Sequence, residues 1–286
     1  MGAYIALTKP RIIELLLITT VPTMILAEDG MPPLWLIVAT VVGGTLAAGG
    51  ANAINMYVDR DIDKLMRRTQ SRPLVTGRIR PRDALIFAIA LEVAAFVMLA
   101  VTVNLLSAVL ALSAALFYVF IYTLWLKRTS TQNIVIGGAA GAVPVLVGWA
   151  AVQNSLALEP LILFGVIFFW TPPHFWALAI RHADDYRAAG VPMLPAVATP
   201  EVTSKKMTGY TAVLWTLTLV LWPVAGLGWL YGISAFVLGL LFLLGCVRLH
   251  RDPTPQRSMR VFAYSISYVT LLFAAMAADV LIQSGF

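Results

Sequence analysis

The stretch LWLIVATVVGGTLAAGGANAINMYVDRDID, Leu34 to Asp63, carries both the fold and the chemistry of this chain. Its first part is apolar and long enough to cross a bilayer as a helix, which takes roughly 20 residues. Its end places three carboxylates, Asp59, Asp61 and Asp63, within five positions. The chain has only 14 acidic residues among 286, so this crowding at the end of an apolar helix asks for a reason.

The rest of the chain is built the same way. Mean hydropathy is +0.85 and 12% of residues are charged, where a soluble domain has about 25%. Apolar runs recur throughout and predict an all-α, polytopic membrane protein forming one integral domain, 1–286. Nine spans are predicted, at 11–27, 34–57, 84–103, 106–126, 133–152, 158–181, 210–228, 231–249 and 261–282. The opening MGAYIALTKPRII is expected to be part of the protein. Its apolar run continues as a full span, unlike a cleavable signal. It is neither Arg- nor Ser-rich, unlike a transit peptide, and Ala6 stands where a myristoylation motif wants Ser or Thr. The lone Cys246 is expected to be a small core hydrophobe.

Charge fixes the sidedness. With nine spans, all 20 Lys and Arg residues fall on the side of the N-terminus, and the other side holds only Glu28, Asp29 and Glu159. The positive-inside rule puts the N-terminus and the basic loops in the cytoplasm and the C-terminus outside. The net charge of +6 is therefore a topology signal and not a nucleic-acid footprint. Two cytoplasmic connections, about 58–83 and 182–209, are long and rich in Gly and Pro, as functional loops tend to be.

A helix turns about 100° per residue, so Asn55, Asp59 and Asp63 share one face at i, i+4, i+8, with Asn52 close by. Asp61 points away, toward Arg60, Lys64 or water. A solvated helix end would explain a generic charge run. Ionisable groups at membrane depth are instead expensive and usually functional. An amide and two carboxylates on one face suit a hard cation such as Mg²⁺, which takes one or two carboxylates plus substrate phosphate oxygens. No His–Cys constellation suggests zinc.

The sixth span ends in a second acid cluster, Asp184-Asp185-Tyr186-Arg187. Spans two and six thus echo each other weakly. Arg181 and Asp185 at i, i+4 read either as an ion pair or as part of a second metal site on the same membrane side. Acids there, with Arg72, Lys127, Arg128 and Arg187 near them, suit a metal-bound diphosphate. The apolar bundle beneath suits a lipid tail, so the expected substrate is a prenyl or other lipid diphosphate. His174 follows Pro172-Pro173, where a kink is expected; it is either a satisfied structural group or a ligand or acid/base. Asn133 could cap the fifth span, and Gly137, Gly138 and Gly141 suit close helix packing. Glu14 is expected near the interface, while Glu92 and Asp279 have no partner visible in the sequence.

These residues resemble the UbiA superfamily of intramembrane prenyltransferases, whose first metal motif looks like Asn55-x-x-x-Asp59-x-x-x-Asp63. The resemblance is nearest to its haem-farnesylating branch. It is carried by LTKPR (7–11), NMYVDRDIDKLMRRTQSRPL (55–74), YTLWLKRTSTQNIVIGGAAGAVPVLVGW (122–149), PPHFWALAI (172–180) and DDYRAAGVPMLP (184–195). It implies a nine-helix bundle around a central cavity. Mg²⁺, or Mn²⁺ in its place, would be held by Asn55, Asp59 and Asp63 with Asp185 opposite. Arg72, Lys127 and Arg128 would hold the diphosphate of farnesyl diphosphate, with Tyr186 and Arg187 beside them. A haem B vinyl group would take the farnesyl cation and water would complete haem O, with His174 orienting haem or water. The implied setting is the bacterial inner membrane, with haem A synthase or a terminal oxidase downstream. The superfamily often has D-x-x-x-D in its second motif. Here position 181 is Arg, and Asp185 is favoured over Asp184 because D-Y-x-x-A-G-V-P continues from it. An aromatic, quinone-type prenyltransferase shares the same metal logic. A transporter would put its acids deep in the bundle, and a scaffold would not need the i, i+4, i+8 face.

Overall fold

In the computed structural model, residues 2–285 are described, and the side chains of residues 11–17, including the expected interfacial Glu14, lie outside the described set. The described residues are helical or loop, with no strand. The helices are α1 (Gly2–Thr8), α2 (Pro10–Glu28), α3 (Leu34–Val58), α4 (Arg60–Leu65), α5 (Pro81–Thr102), α6 (Leu105–Leu116), α7 (Lys127–Thr129), α8 (Asn133–Gln153), α9 (Leu158–Arg181), α10 (Ala183–Ala188), α11 (Leu194–Val197), α12 (Pro200–Val224), α13 (Trp229–Arg251) and α14 (Pro255–Gln283). A π-helix, Phe117–Leu126, joins α6 to α7. Among the described residues eight helical segments are long and apolar enough to cross a membrane, and α2 adds the shorter apolar piece Ile18–Glu28.

The predicted spans match these helices to within a few residues, except that two helices start early, α14 at Pro255, six residues before the predicted 261, and α12. α12 begins at Pro200, ten residues before the predicted 210. Thr199 starts it, accepting a hydrogen bond from the Val202 N–H (3.4 Å) ahead of Pro200, a strong start signal. Apolarity reports the membrane-buried part of a helix and misses polar turns such as those carrying Lys205 and Lys206.

The long helices pack in chain order, α2 on α3, α3 on α5, and onward to α13 on α14, and α14 returns to α2 to close a ring. α2 also crosses to α8 and divides the ring. The half made by α8, α9, α12, α13 and α14 is filled by large buried side chains such as Trp170, Trp176, Tyr231, Phe242, Tyr268 and Phe273. Cys246 lies in this core as expected, its sulfur 3.3 Å from Thr211 Oγ1. The other half is walled by small residues on α3, α6 and α8, such as Gly44, Ala48, Ala111, Ala115 and Gly141, and it encloses a cavity of about 400 Å³. The cavity therefore follows from residue size: small side chains cannot fill a ring of this diameter. On the outside, Ile86, Ile89, Val93 and Val97 of α5 are exposed, at the spacing of one helix face turned to lipid.

Close approach explains three of the four glycines in α8, Gly148 among them, where a Cβ would lie 2.8 Å from Thr20 O. A Cβ on Gly137 would lie 2.3 Å from Tyr122 Cδ2, and one on Gly138 would lie 2.8 Å from Thr171 Cγ2. Gly141 departs from the packing expectation. Nothing lies within 4 Å of its Cβ position, because it opens on the cavity. α9 runs as one helix through Pro172 and Pro173.

The two acids without a visible partner now have settings. Asp279 of α14 accepts hydrogen bonds from the Gly228 N–H, the Tyr231 N–H (3.2 Å) and Gln283 Nε2 (2.7 Å). It thus covers orphan N–H groups at the start of α13. Glu92 of α5 lies against Gly50 of α3, its Oε1 2.7 Å from where a Cβ would stand.

Candidate functional site

The first acid cluster sits at a helix break. α3 ends at Val58 and α4 begins at Arg60. The Asp59 N–H still bonds to Asn55 O (2.9 Å), and the Asp63 N–H to Asp59 O (2.8 Å). Helical register survives the break, so Asn55, Asp59 and Asp63 do share a face. All three are buried, at 3%, 0% and 1% exposure.

Buried carboxylates require partners, and here these come from distant parts of the chain. Arg72 donates to both Asp63 oxygens at 2.7 and 2.6 Å. Lys127 pairs with Asp59 Oδ2, which also accepts from Asn55 Nδ2 (2.8 Å). Lys9 donates to Asn55 Oδ1 at 2.7 Å, and Asn55 Nδ2 donates to Thr123 Oγ1 at 3.0 Å. Lys9 occupies a left-handed backbone conformation, φ 51° and ψ 64°. Strain of this kind, on the order of 1–3 kcal/mol, collects at functional sites. Burial, reinforced by Arg72 and Lys127 nearby, pulls the Lys9 ammonium down to about 7, against the pull of Asp59 and Asp63.

Two expected site residues are used differently. Arg128 was expected to hold diphosphate. Instead it grips Asp61 with two hydrogen bonds of 2.8 Å and reaches Val58 O at 3.2 Å, and it is absent from the cavity wall. Asp61 does point away from the shared face, but toward Arg128 and not Arg60 or Lys64. The guanidinium holds its carboxyl well below the usual range. Arg187 donates to Ala196 O (2.8 Å) and Asp184 Oδ1 (2.5 Å), bracing its own loop.

The second cluster shows the same break. α9 stops at Arg181, His182 caps it, and α10 starts at Ala183. The Arg181–Asp185 ion pair, one of the two readings of that spacing, is not formed among the described residues, where α9 and α10 part at His182. Asp185 is half-buried, and its carboxylate makes no ion pair or hydrogen bond among the described residues. It lies beside the cavity-lining Tyr186, within electrostatic reach of its hydroxyl. After α10, Gly190 at φ 65° turns the chain, and the Val191 N–H returns to Tyr186 O at 3.0 Å, the bond pattern of a Schellman stop. This seats Val191 on Ile62 and Met66, joining the two loops over the cavity.

His174 is placed as a packing group. Its Nδ1 meets Ser265 Oγ at 2.6 Å, and its ring stacks between Trp170 and Phe262, with centroids 4.2 and 4.7 Å away. It clamps α9 to α14 and is absent from the cavity wall. Asn133 is not a cap. It is the first residue of α8, fully buried, with neither amide atom paired among the described residues.

Two basic residues that the sequence reading did not assign to the site join it. Lys9 lies 46 residues before Asn55, with nothing local to link them. Arg68 lines the cavity within electrostatic reach of the Tyr186 hydroxyl; its signal was its closeness to Arg72 in the same loop. Among the described residues the wall carries Lys9, Arg68, Arg72 and Lys127 against the single carboxylate of Asp63. Such a concentration of positive charge over an apolar cavity can hold a polyanionic head and a hydrocarbon tail. No three His, Cys, Asp or Glu side chains gather into a metal cluster among the described residues. A metal here would rely on two carboxylates, an amide and ligand oxygens, as Mg²⁺ commonly does. Among the described residues Asp59 Oδ1 is buried without a hydrogen-bond partner, the Arg128 guanidinium standing 3.8 Å away, so this oxygen has a lone pair free for a metal ion.

Known proteins agree with this geometry. The UbiA prenyltransferase family matches residues 16–275. A protein from Kineococcus radiotolerans named Protoheme IX farnesyltransferase is 51% identical over 302 residues, covering 99% of this chain and 89% of that protein. A protein of the same name from Frankia alni is 53% identical, covering 98% of each. Among solved structures, one reported for digeranylgeranylglyceryl phosphate synthase in membranes superposes with a TM-score of 0.81 at 17% identity, over 98% of both chains. A UbiA homologue from Archaeoglobus fulgidus bound to DMAPP and Mg²⁺ gives a TM-score of 0.64 at 17% identity, over 96% of this chain and 99% of that one. The apolar helices make this an integral membrane protein, and the chain belongs to the UbiA prenyltransferase family.

Proposed function

We propose that this chain transfers the farnesyl group of farnesyl diphosphate to a vinyl group of haem B, with addition of water, giving haem O. The observation that carries the donor half is the wall of Lys9, Arg68, Arg72 and Lys127 above an apolar cavity of about 400 Å³. Support for the acceptor comes from relatives at 51% and 53% identity that are named for that activity. The basic loops support a cavity mouth on the cytoplasmic face of the inner membrane.

Asn55, Asp59 and Asp63, with Asp185 from the facing loop, would hold Mg²⁺, which when bound neutralises the diphosphate and makes it a better leaving group. The four basic side chains bind phosphate oxygens and offset the charge that grows as the C–O bond breaks. Small residues of α3, α6 and α8 leave room for the farnesyl chain and keep water from the allylic carbon.

The test is incubation of the purified protein with haem B, farnesyl diphosphate and Mg²⁺, read by mass spectrometry. Haem O should form, and should be lost with EDTA or in Asp59→Ala. Absence of haem O from folded wild-type protein overturns the acceptor; product that survives both controls overturns the metal role.

A further inference from the structure

The π-helix Phe117–Leu126 places two aromatic rings where the reaction needs them. π-turns inside helices often mark functional sites. Here the wide register is pinned by Thr123, whose hydroxyl donates to Tyr118 O five residues back at 2.8 Å and also accepts from Asn55. Asn55 in turn is bonded to Asp59 and Lys9. One hydroxyl thus ties the ring-bearing turn to the polar mouth.

Tyr118 and Tyr122 are stacked, with centroids 5.3 Å apart and planes at 21°, and both line the cavity. Gly137 gives Tyr122 its place, since any side chain there would meet the ring. Tyr118 lies within electrostatic reach of Asp59, Arg72 and Asp63. A diphosphate held by Arg72 and Lys127 of the same cavity wall would bring the first carbons of its prenyl chain toward this ring. Neither hydroxyl has a hydrogen bond among the described residues, so hydrogen bonding does not account for the pair.

We infer that Tyr118, backed by Tyr122, is a catalytic residue that stabilises the allylic cation through its π face. This rests on the proposed function. The C1–O bond of farnesyl diphosphate breaks with its electron pair leaving on diphosphate. The cation left on C1–C3 is the charge the ring meets. The vinyl π pair then forms the new C–C bond, and water adds to the resulting cation and loses a proton. A ring face attracts a cation more strongly when the pair is desolvated, and the cavity wall beside Tyr118 is apolar at Ala111, Ala114 and Ala115.

The experiment compares Phe, cyclohexylalanine, and mono-, di- and trifluorophenylalanine at position 118. These have closely similar size and progressively weaker π faces. Each is assayed for haem O formation and for diphosphate release from farnesyl diphosphate without haem. Relative to Tyr118→Phe, kcat should fall stepwise with each fluorine and about 10- to 30-fold with cyclohexylalanine, while KM for farnesyl diphosphate moves less than about 3-fold. Equal kcat across the series, or losses that follow KM alone, would overturn the assignment. If wild-type protein releases diphosphate yet forms no haem O, the acceptor reading fails, and the same series read on diphosphate release still decides the role of Tyr118.

Discussion

Asp61 and Arg128, 67 residues apart, form a two-bond pair of 2.8 Å, and the same guanidinium stands 3.8 Å from Oδ1 of the buried Asp59. The pair is partly exposed, with Asp61 at 61% and Arg128 at 33%, and such pairs contribute about 0–1 kcal/mol. Alanine at Asp61 should lower activity by less than about 5-fold. Alanine at Asp59 or Asp63 should lower it by about 100-fold or more, the scale of losing an electrostatic contact in a dry site. Steady-state kinetics on the three variants checks this, and equal losses at all three would contradict the division into two faces.

Lys9 links binding to pH. Its ammonium titrates near 7 in the free protein, so above pH 7 it is largely neutral, and a bound diphosphate restores the proton. Binding of farnesyl diphosphate at about pH 8 should therefore take up a fraction of a proton, and affinity should weaken as pH rises above 7. Calorimetry in buffers of different ionisation enthalpy measures the uptake, and Lys9→Met should abolish it. The sign for folding is separate. Unfolded lysine titrates near 10.4, so between pH 7 and 10 the unfolded chain binds the extra proton and ligand-free stability rises with pH.

Two glycines on α8 should respond oppositely to one methyl group. Gly137→Ala drives a Cβ into Tyr122 and should lower stability by about 1–3 kcal/mol, as overpacking does, with activity falling as the ring shifts. Gly141→Ala meets nothing within 4 Å and should leave thermal stability equal or higher, since Ala favours the helix by about 0.5–1 kcal/mol. Melting curves in detergent distinguish the two.

Asp279 should matter for stability and not for chemistry. Asp279→Ala removes the acceptor for two N–H groups at the start of α13 and for Gln283. The expected loss is about 1–3 kcal/mol, seen as a lower melting temperature with kcat unchanged in the protein that stays folded.

These contrasts mark what the sequence could carry. Asn55, Asp59 and Asp63 were legible because helical spacing is local and survives the break at Asp59. The spans were legible because apolarity is summed over many residues. Lys9 against Asn55, Arg128 against Asp61 and Asp279 against α13 were not, since each joins segments brought together only by packing. His174 stayed open between a packing and a chemical role because its partners Ser265 and Phe262 lie on another helix. The π register of Phe117–Leu126 had no local mark, because an apolar run reads alike in α and π form. The break between α9 and α10 was not legible, since the cap at His182 is set by the fold.

The account stands most directly on the mass of the haem product made in ¹⁸O-labelled water. Wild-type protein with haem B, farnesyl diphosphate and Mg²⁺ should yield haem carrying one farnesyl group and one labelled oxygen. Unmodified haem B, or a farnesylated haem without the labelled oxygen, would contradict it.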